Sequence, residues 1–193
     1  MHTLIELGIF LLISVPIAVI DLREYRIPDV LTLGGVVIFA ALKIFWDGQP
    51  WWLVAAEAAA GFGVFWLIHV VTKGKMGLGD AKFSGMIAVA CGFFSWLIAL
   101  TVASIVGLVT ALILIASGRR ERTQKIPFGP FLGIGGGAAL ALQALFPAWA
   151  AMWAAPWVAA GLAVRALGSL AAASPQALTA ASQIIWQPWV GGL

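Results

Sequence analysis

Charge is what this sequence has least of. Only 10% of its 193 residues are charged, whereas 62% are hydrophobic. A soluble domain carries about a quarter charged residues. With a mean hydropathy of +1.03, a water-soluble globular domain is excluded. Cysteine is scarcer still. A single residue, Cys91, rules out an intrachain disulfide and a cysteine metal cluster. Set in an apolar run, it reads as a small buried hydrophobe. The two histidines, His2 and His69, build no His-Glu-x-x-His string, so zinc-protease chemistry has no ligand set. No metal or cofactor is implied. A net charge of +3 suggests neither nucleic acid nor an acidic substrate as partner.

What the chain does have is long apolar runs, and about 20 apolar residues make one membrane-crossing helix. Spans are predicted at 4–20, 30–46, 51–72, 82–94, 96–117 and 128–147, the fourth short enough to merge with the fifth. The fold class expected is all-α, a polytopic transmembrane helix bundle. Residues 1–147 form a six-helix core, and residues 148–193 a Trp- and Ala-rich extension. Within it, Trp149 to Leu167 is long enough for a seventh span, and 168–193 suits an interfacial segment. The first run has no basic region before it and no small-residue cleavage site after it, so it reads as a retained helix.

The basic residues set an orientation. Arg23 and Arg26 follow the first span, Lys73, Lys75 and Lys82 the third, and Arg119, Arg120, Arg122 and Lys125 the fifth. Nine of the eleven basic residues thus occupy alternate connections, and such loops stay in the cytoplasm. The N-terminus is expected outside the inner membrane. Lys43 is the exception, expected to snorkel to the outer interface. Trp46, Trp51 and Trp52 fall where an outer aromatic belt belongs.

This topology puts Asp21, at the end of the first span, and Asp80, at the start of the fourth, at one membrane depth. Two neighbouring carboxyls hydrolyse a peptide without a metal or a Ser or Cys nucleophile. One, ionised, takes a proton from water, while the other, protonated, polarises the carbonyl. The local alternatives are a helix N-cap for Asp80 and a loop acid paired with Arg23 or Arg26 for Asp21. Gly77 and Gly79, ahead of Asp80, let the backbone bend and come close to another chain. Pro28 suits the first turn of the second helix. Glu24 and Asp29 read as interfacial acids, the fallback partners of Asp80.

Three segments carry a resemblance. They are Asp21 with Ile27-Pro28-Asp29-Val30-Leu31-Thr32, then Gly77-Leu78-Gly79-Asp80-Ala81-Lys82, then Ile126-Pro127-Phe128-Gly129-Pro130-Phe131-Leu132. In this order, each at a cytoplasmic loop, they resemble the type IV prepilin peptidase family over roughly residues 5–147. The resemblance implies an aspartic endopeptidase with Asp21 and Asp80 as the catalytic pair. Its substrate is a pilin-like precursor, cut after a Gly at the leader junction. Pro127 and Phe128 receive no chemical role. Many bacterial members begin with a cysteine-containing domain linked to N-methylation of the product, and no such segment precedes Asp21 here. The Gly-Leu-Gly-Asp string also resembles presenilin and signal-peptide-peptidase proteases, which place Tyr where Ile20 stands and add a Pro-Ala-Leu motif that is absent. A rival from another class is a non-enzymatic ion- or proton-binding protein that uses Asp21 and Asp80.

Other polar residues receive structural expectations. Glu57 is expected to be a neutral, hydrogen-bonded or interfacial acid near the outer end, and His69 a packed or interfacial residue. Ser84-Gly85 faintly resembles a membrane serine protease, but Lys82 stands where a Gly is wanted. The glycines at 61 and 63 and from 133 to 137 are expected to let helices pack closely. Lys73, Lys75, Arg119, Arg120 and Arg122 are expected to set topology and hold anionic lipid, while Glu24 or Asp29 attracts a basic leader. The tryptophans at 149, 153, 157, 186 and 189 suit interfacial anchoring.

Overall fold

The computed structural model describes residues 2–74, 76–117 and 127–146, and the separate positions 148, 163 and 166–169. The described part is an all-α membrane helix bundle. Its helices are α1 (His2–Glu24), α2 (Asp29–Ala41) with a π-helical continuation (Leu42–Trp46), α3 (Trp51–Val71), α4 (Leu78–Cys91), α5 (Phe93–Ala116) and α6 (Gly129–Leu145). Four helical stretches are long and apolar enough to cross a membrane: α1, α2 with its π turn, α3 and α5. The expected extension from residue 148, with its seventh span and tryptophans, lies almost wholly outside the described residues. So do Lys75, Arg119, Arg120, Arg122, Lys125 and Ile126.

Local chemistry sets the helix ends. α1 stops at Tyr25, whose positive φ of 53° turns the chain while its N–H bonds the Asp21 carbonyl at 3.0 Å. Pro28, in extended conformation, starts α2, as Pro50 starts α3. Gly92, at φ +78°, breaks the chain between α4 and α5, so the fourth and fifth spans do not merge.

α4 is the hub. It packs on α2, α3, α5 and α6, and ten of its fourteen residues are buried. At a rise of 1.5 Å per residue it is only about 21 Å long, shorter than a bilayer core. Its apolar surface is satisfied by other helices and not by lipid. Small residues permit the crossings. A Cβ on Gly61 would lie 2.6 Å from the Ala88 Cβ, one on Gly136 would press into the Phe10 ring, and one on Gly135 into the Ala99 carbonyl. Gly63 differs from expectation. Nothing lies within 4 Å of its added Cβ, so it serves no crossing.

The end of the bundle holding the α1 N-terminus and the α2 C-terminus carries buried charge. Lys43 does not snorkel. It is buried, and its ammonium bonds Glu6 Oε1 and Asp47 Oδ2, each at 3.1 Å. The π turn accounts for this, because an inserted residue rotates the side chains that follow it. Here Lys43 faces α1, where Glu6 waits on the buried stripe of Glu6, Phe10, Ser14, Ile17 and Asp21. Glu57 is buried as well, and its Oε2 finds no partner. Gln143 bonds the Cys91 carbonyl and the Ser95 hydroxyl, each at 2.6 Å.

Candidate active site

The opposite end gathers the α1–α2 connection, the α3–α4 connection and the start of α6. Asp21 is the last member of the buried stripe of α1 and is only 5% exposed. Its spacing of four from Ile17 keeps it on the bundle face one turn further on. An isolated carboxylate is costly there, and α6 supplies the answer. The N–H of Gly129, first residue of α6, donates to Asp21 Oδ2 at 2.9 Å. A helix N-terminus has unpaired N–H groups and a positive dipole end, both suited to an acid. A Cβ at position 129 would lie 2.7 Å from that same oxygen, so only glycine fits.

The Pro-Phe-Gly-Pro segment, which had no chemical role in the sequence, thereby acquires one. Phe128 packs its ring 6.2 Å from both Phe65 of α3 and Phe131 of α6. Gly107 of α5 leaves room for it, since a Cβ there would come within 3.5 Å of the Phe128 ring. The wedge fixes where α6 begins and so where the Gly129 N–H points. No motif search finds this donor, because a backbone N–H has no residue signature. The only hint was a glycine between two prolines.

Asp80 occupies the third position of α4, with Gly77 as the N-cap residue. Its carboxylate reaches back towards Gly77, with Oδ2 3.3 Å from the place a Cβ on that residue would take, as the acid of a capping box does. Asp80 is therefore not the N-cap residue itself. Gly79 lies against Ile27, with a Cβ there 2.9 Å from the Ile27 Cβ, so the α1–α2 and α3–α4 connections meet. Gly77 has an ordinary φ of −69°. The sharp turn expected of the glycines lies earlier, at Lys73 and Gly74, with φ of 54° and 80°.

The two acids thus stand at one end, Asp21 held by the Gly129 N–H and Asp80 against Gly77, close enough for the charge of Asp21 to act on Asp80. Asp29 is no free acid; it pairs with Lys82 at 2.7 Å and ties α2 to α4. Glu24, Arg23 and Arg26 are exposed. Ser84 is fully buried, and its hydroxyl accepts the Trp96 indole N–H at 2.9 Å, which leaves no serine nucleophile at that position. His69 is half-buried and bonds the Met76 carbonyl.

Comparison with known proteins bears on this arrangement. The sequence profile described as the type IV leader peptidase family matches residues 7–112. The chain is 32% identical over 122 residues to a prepilin leader peptidase/N-methyltransferase of Xanthomonas campestris, covering 61% of this chain and 42% of that protein. It is 31% identical over 133 residues to a protein of the same name from Pseudomonas aeruginosa, covering 64% and 44%. A type 4 prepilin-like proteins leader peptide-processing enzyme of Escherichia coli is 32% identical over 138 residues, covering 67% and 48%. The match thus spans less than half the length of each of these relatives. No solved structure matches.

Proposed function

The chain belongs to the type IV leader peptidase family, and from that premise we propose that it is a membrane-embedded aspartic endopeptidase that removes the basic leader of pilin-like precursors. Asp21 and Asp80 are the catalytic pair. The observation that carries this reading is their arrangement on different helices at one end of the bundle. The Asp21 carboxylate is oriented by the Gly129 N–H, that of Asp80 lies against Gly77, and the two are near enough for their charges to interact. Like charges at short range do not both ionise, so the pair shares a proton.

The reaction then needs no other group. The ionised carboxylate accepts a proton as water attacks the scissile carbonyl carbon, and the protonated partner donates to the carbonyl oxygen. As the gem-diol intermediate collapses, the C–N bond breaks, the amine leaves with the proton taken up by the first carboxyl, and one hydroxyl returns its proton to the second carboxylate, so the dyad is again singly protonated. The two titration steps belong to the pair and not to either residue.

We place the dyad at the cytoplasmic face of the inner membrane, on the strength of the basic connections after the first, third and fifth spans. The substrate's apolar helix lies in the bilayer and presents the leader junction there. Of Glu24 and Asp29, exposed Glu24 is the better placed to attract a basic leader, because Lys82 pairs with Asp29. Co-expression with candidate pilin-like precursors tests the reading. Shortening of a precursor at its leader junction is expected, and full-length product with every candidate would overturn it.

A further inference from the structure

One peptide group ties the Asp80 connection to α3. The carbonyl between Met76 and Gly77 accepts a hydrogen bond from His69 Nδ1. The other side of that same peptide lies against the Asp80 carboxylate, whose Oδ2 is 3.3 Å from the place a Cβ on Gly77 would take. A carbonyl has no proton to give, so Nδ1 is the donor. The result is a chain of two polar contacts through one planar amide: a hydrogen bond from imidazole to carbonyl, and the Gly77 side of the peptide against the carboxylate.

His69 also closes the turn that leads there. Its carbonyl accepts the Gly74 N–H at 2.8 Å and the Thr72 hydroxyl at 3.3 Å. Lys73 takes a positive φ, which non-glycine residues rarely adopt. Gly77 brings no side chain to anchor the peptide plane. Turned over, that peptide would point the Met76 carbonyl at Asp80 and set two acceptors face to face. His69 is the group on α3 that holds it the right way round.

We infer that His69 is a positioning residue for Asp80, acting through the Met76–Gly77 peptide. The inference rests on the reading of Asp80 as a catalytic acid. His69 touches neither water nor substrate in this role; it fixes the peptide that lies against the carboxylate.

The test uses the full chain, purified in detergent, with three variants. His69→Asn places an amide N–H where Nδ1 stood, His69→Gln places one nearer Nε2, and His69→Phe keeps a ring without a donor. In a leader-cleavage assay His69→Phe is expected to lose roughly five- to tenfold in kcat, the worth of about one hydrogen bond. KM is expected unchanged. His69→Asn should recover most of the loss and His69→Gln little of it. Hydrogen exchange at the Gly77 amide supplies a second readout that needs no activity. Exchange should quicken in His69→Phe and slow again in His69→Asn. A ring that only packs against the turn predicts instead that His69→Phe behaves as wild type, or that Phe and Asn fall equally, and either result overturns the inference. If the wild-type chain cleaves no precursor, the proposed function fails, and Gly77 exchange still decides the role of His69.

Discussion

The Asp21 carboxylate accepts the Gly129 N–H across 108 positions of sequence. A side chain at the end of α1 is thereby registered by the first peptide of α6, and the two elements that carry the contact pack along their length. The registration depends on one missing methyl group.

Adding that methyl is the simplest challenge. Gly129→Ala puts a carbon 2.7 Å from Asp21 Oδ2, so the carboxyl or the helix end must shift. A misplacement of about 1 Å at a reacting group costs on the order of a hundredfold in rate. Cleavage at equal expression is expected to fall by that order. Gly137→Ala, whose added Cβ meets nothing closer than 3.7 Å, is the control and should cleave as wild type.

Much of this fold was legible in the sequence, because apolar run length is a bilayer requirement. The spans expected at 51–72 and 96–117 are observed as Trp51–Val71 and Phe93–Ala116, and the stretch 128–147 holds the helix Gly129–Leu145, shorter than the four that are long enough to cross a membrane. The fourth helix begins at Leu78 and not at 82, since Gly-Leu-Gly reads as loop while Asp80 caps the turn from inside it. Lys43 went astray for a related reason. Proximity to a span end suggested snorkelling, but the π turn and the facing Glu6 are tertiary features. The motif order brought Asp21 and Asp80 into view, whereas the Gly129 N–H that holds Asp21 is a backbone group with no sequence signature.

The buried pair of Glu6 and Lys43, which Asp47 joins from the exposed side, makes a stability prediction. Removing one partner of a buried pair leaves an uncompensated charge and costs about 3–5 kcal/mol. Lys43→Met is expected to lower thermal stability in detergent sharply. Adding Glu6→Gln to Lys43→Met should restore part of it, because the stranded acid is gone. A double variant less stable than Lys43→Met alone would show that the two residues do not form a coupled pair.

Asp29 and Lys82 should behave differently. Their pair is solvent-accessible, with side chains 59% and 30% exposed, and exposed pairs contribute about 0.2–1 kcal/mol. Asp29→Asn is expected to keep most cleavage activity and nearly all stability. An inactive but stable Asp29→Asn would make Asp29 the partner of Asp80 in place of Asp21.

Orientation is read by reporter fusions. A fusion after Arg122 should report the cytoplasm and one at Gln49 the outside, as the charge bias of the connections dictates. The reverse pattern would put Asp21 and Asp80 outside, away from a leader held in the cytoplasm.

The central claim is the dyad, and leader cleavage by the Asp21→Asn and Asp80→Asn variants tests it most directly. The amide is close to the carboxylate in shape, so insertion and folding should survive, but it cannot take a proton from water or share one with its partner. Both variants are expected to accumulate in the membrane at wild-type level and to leave the precursor uncut. Full cleavage by either variant at equal expression would contradict the account.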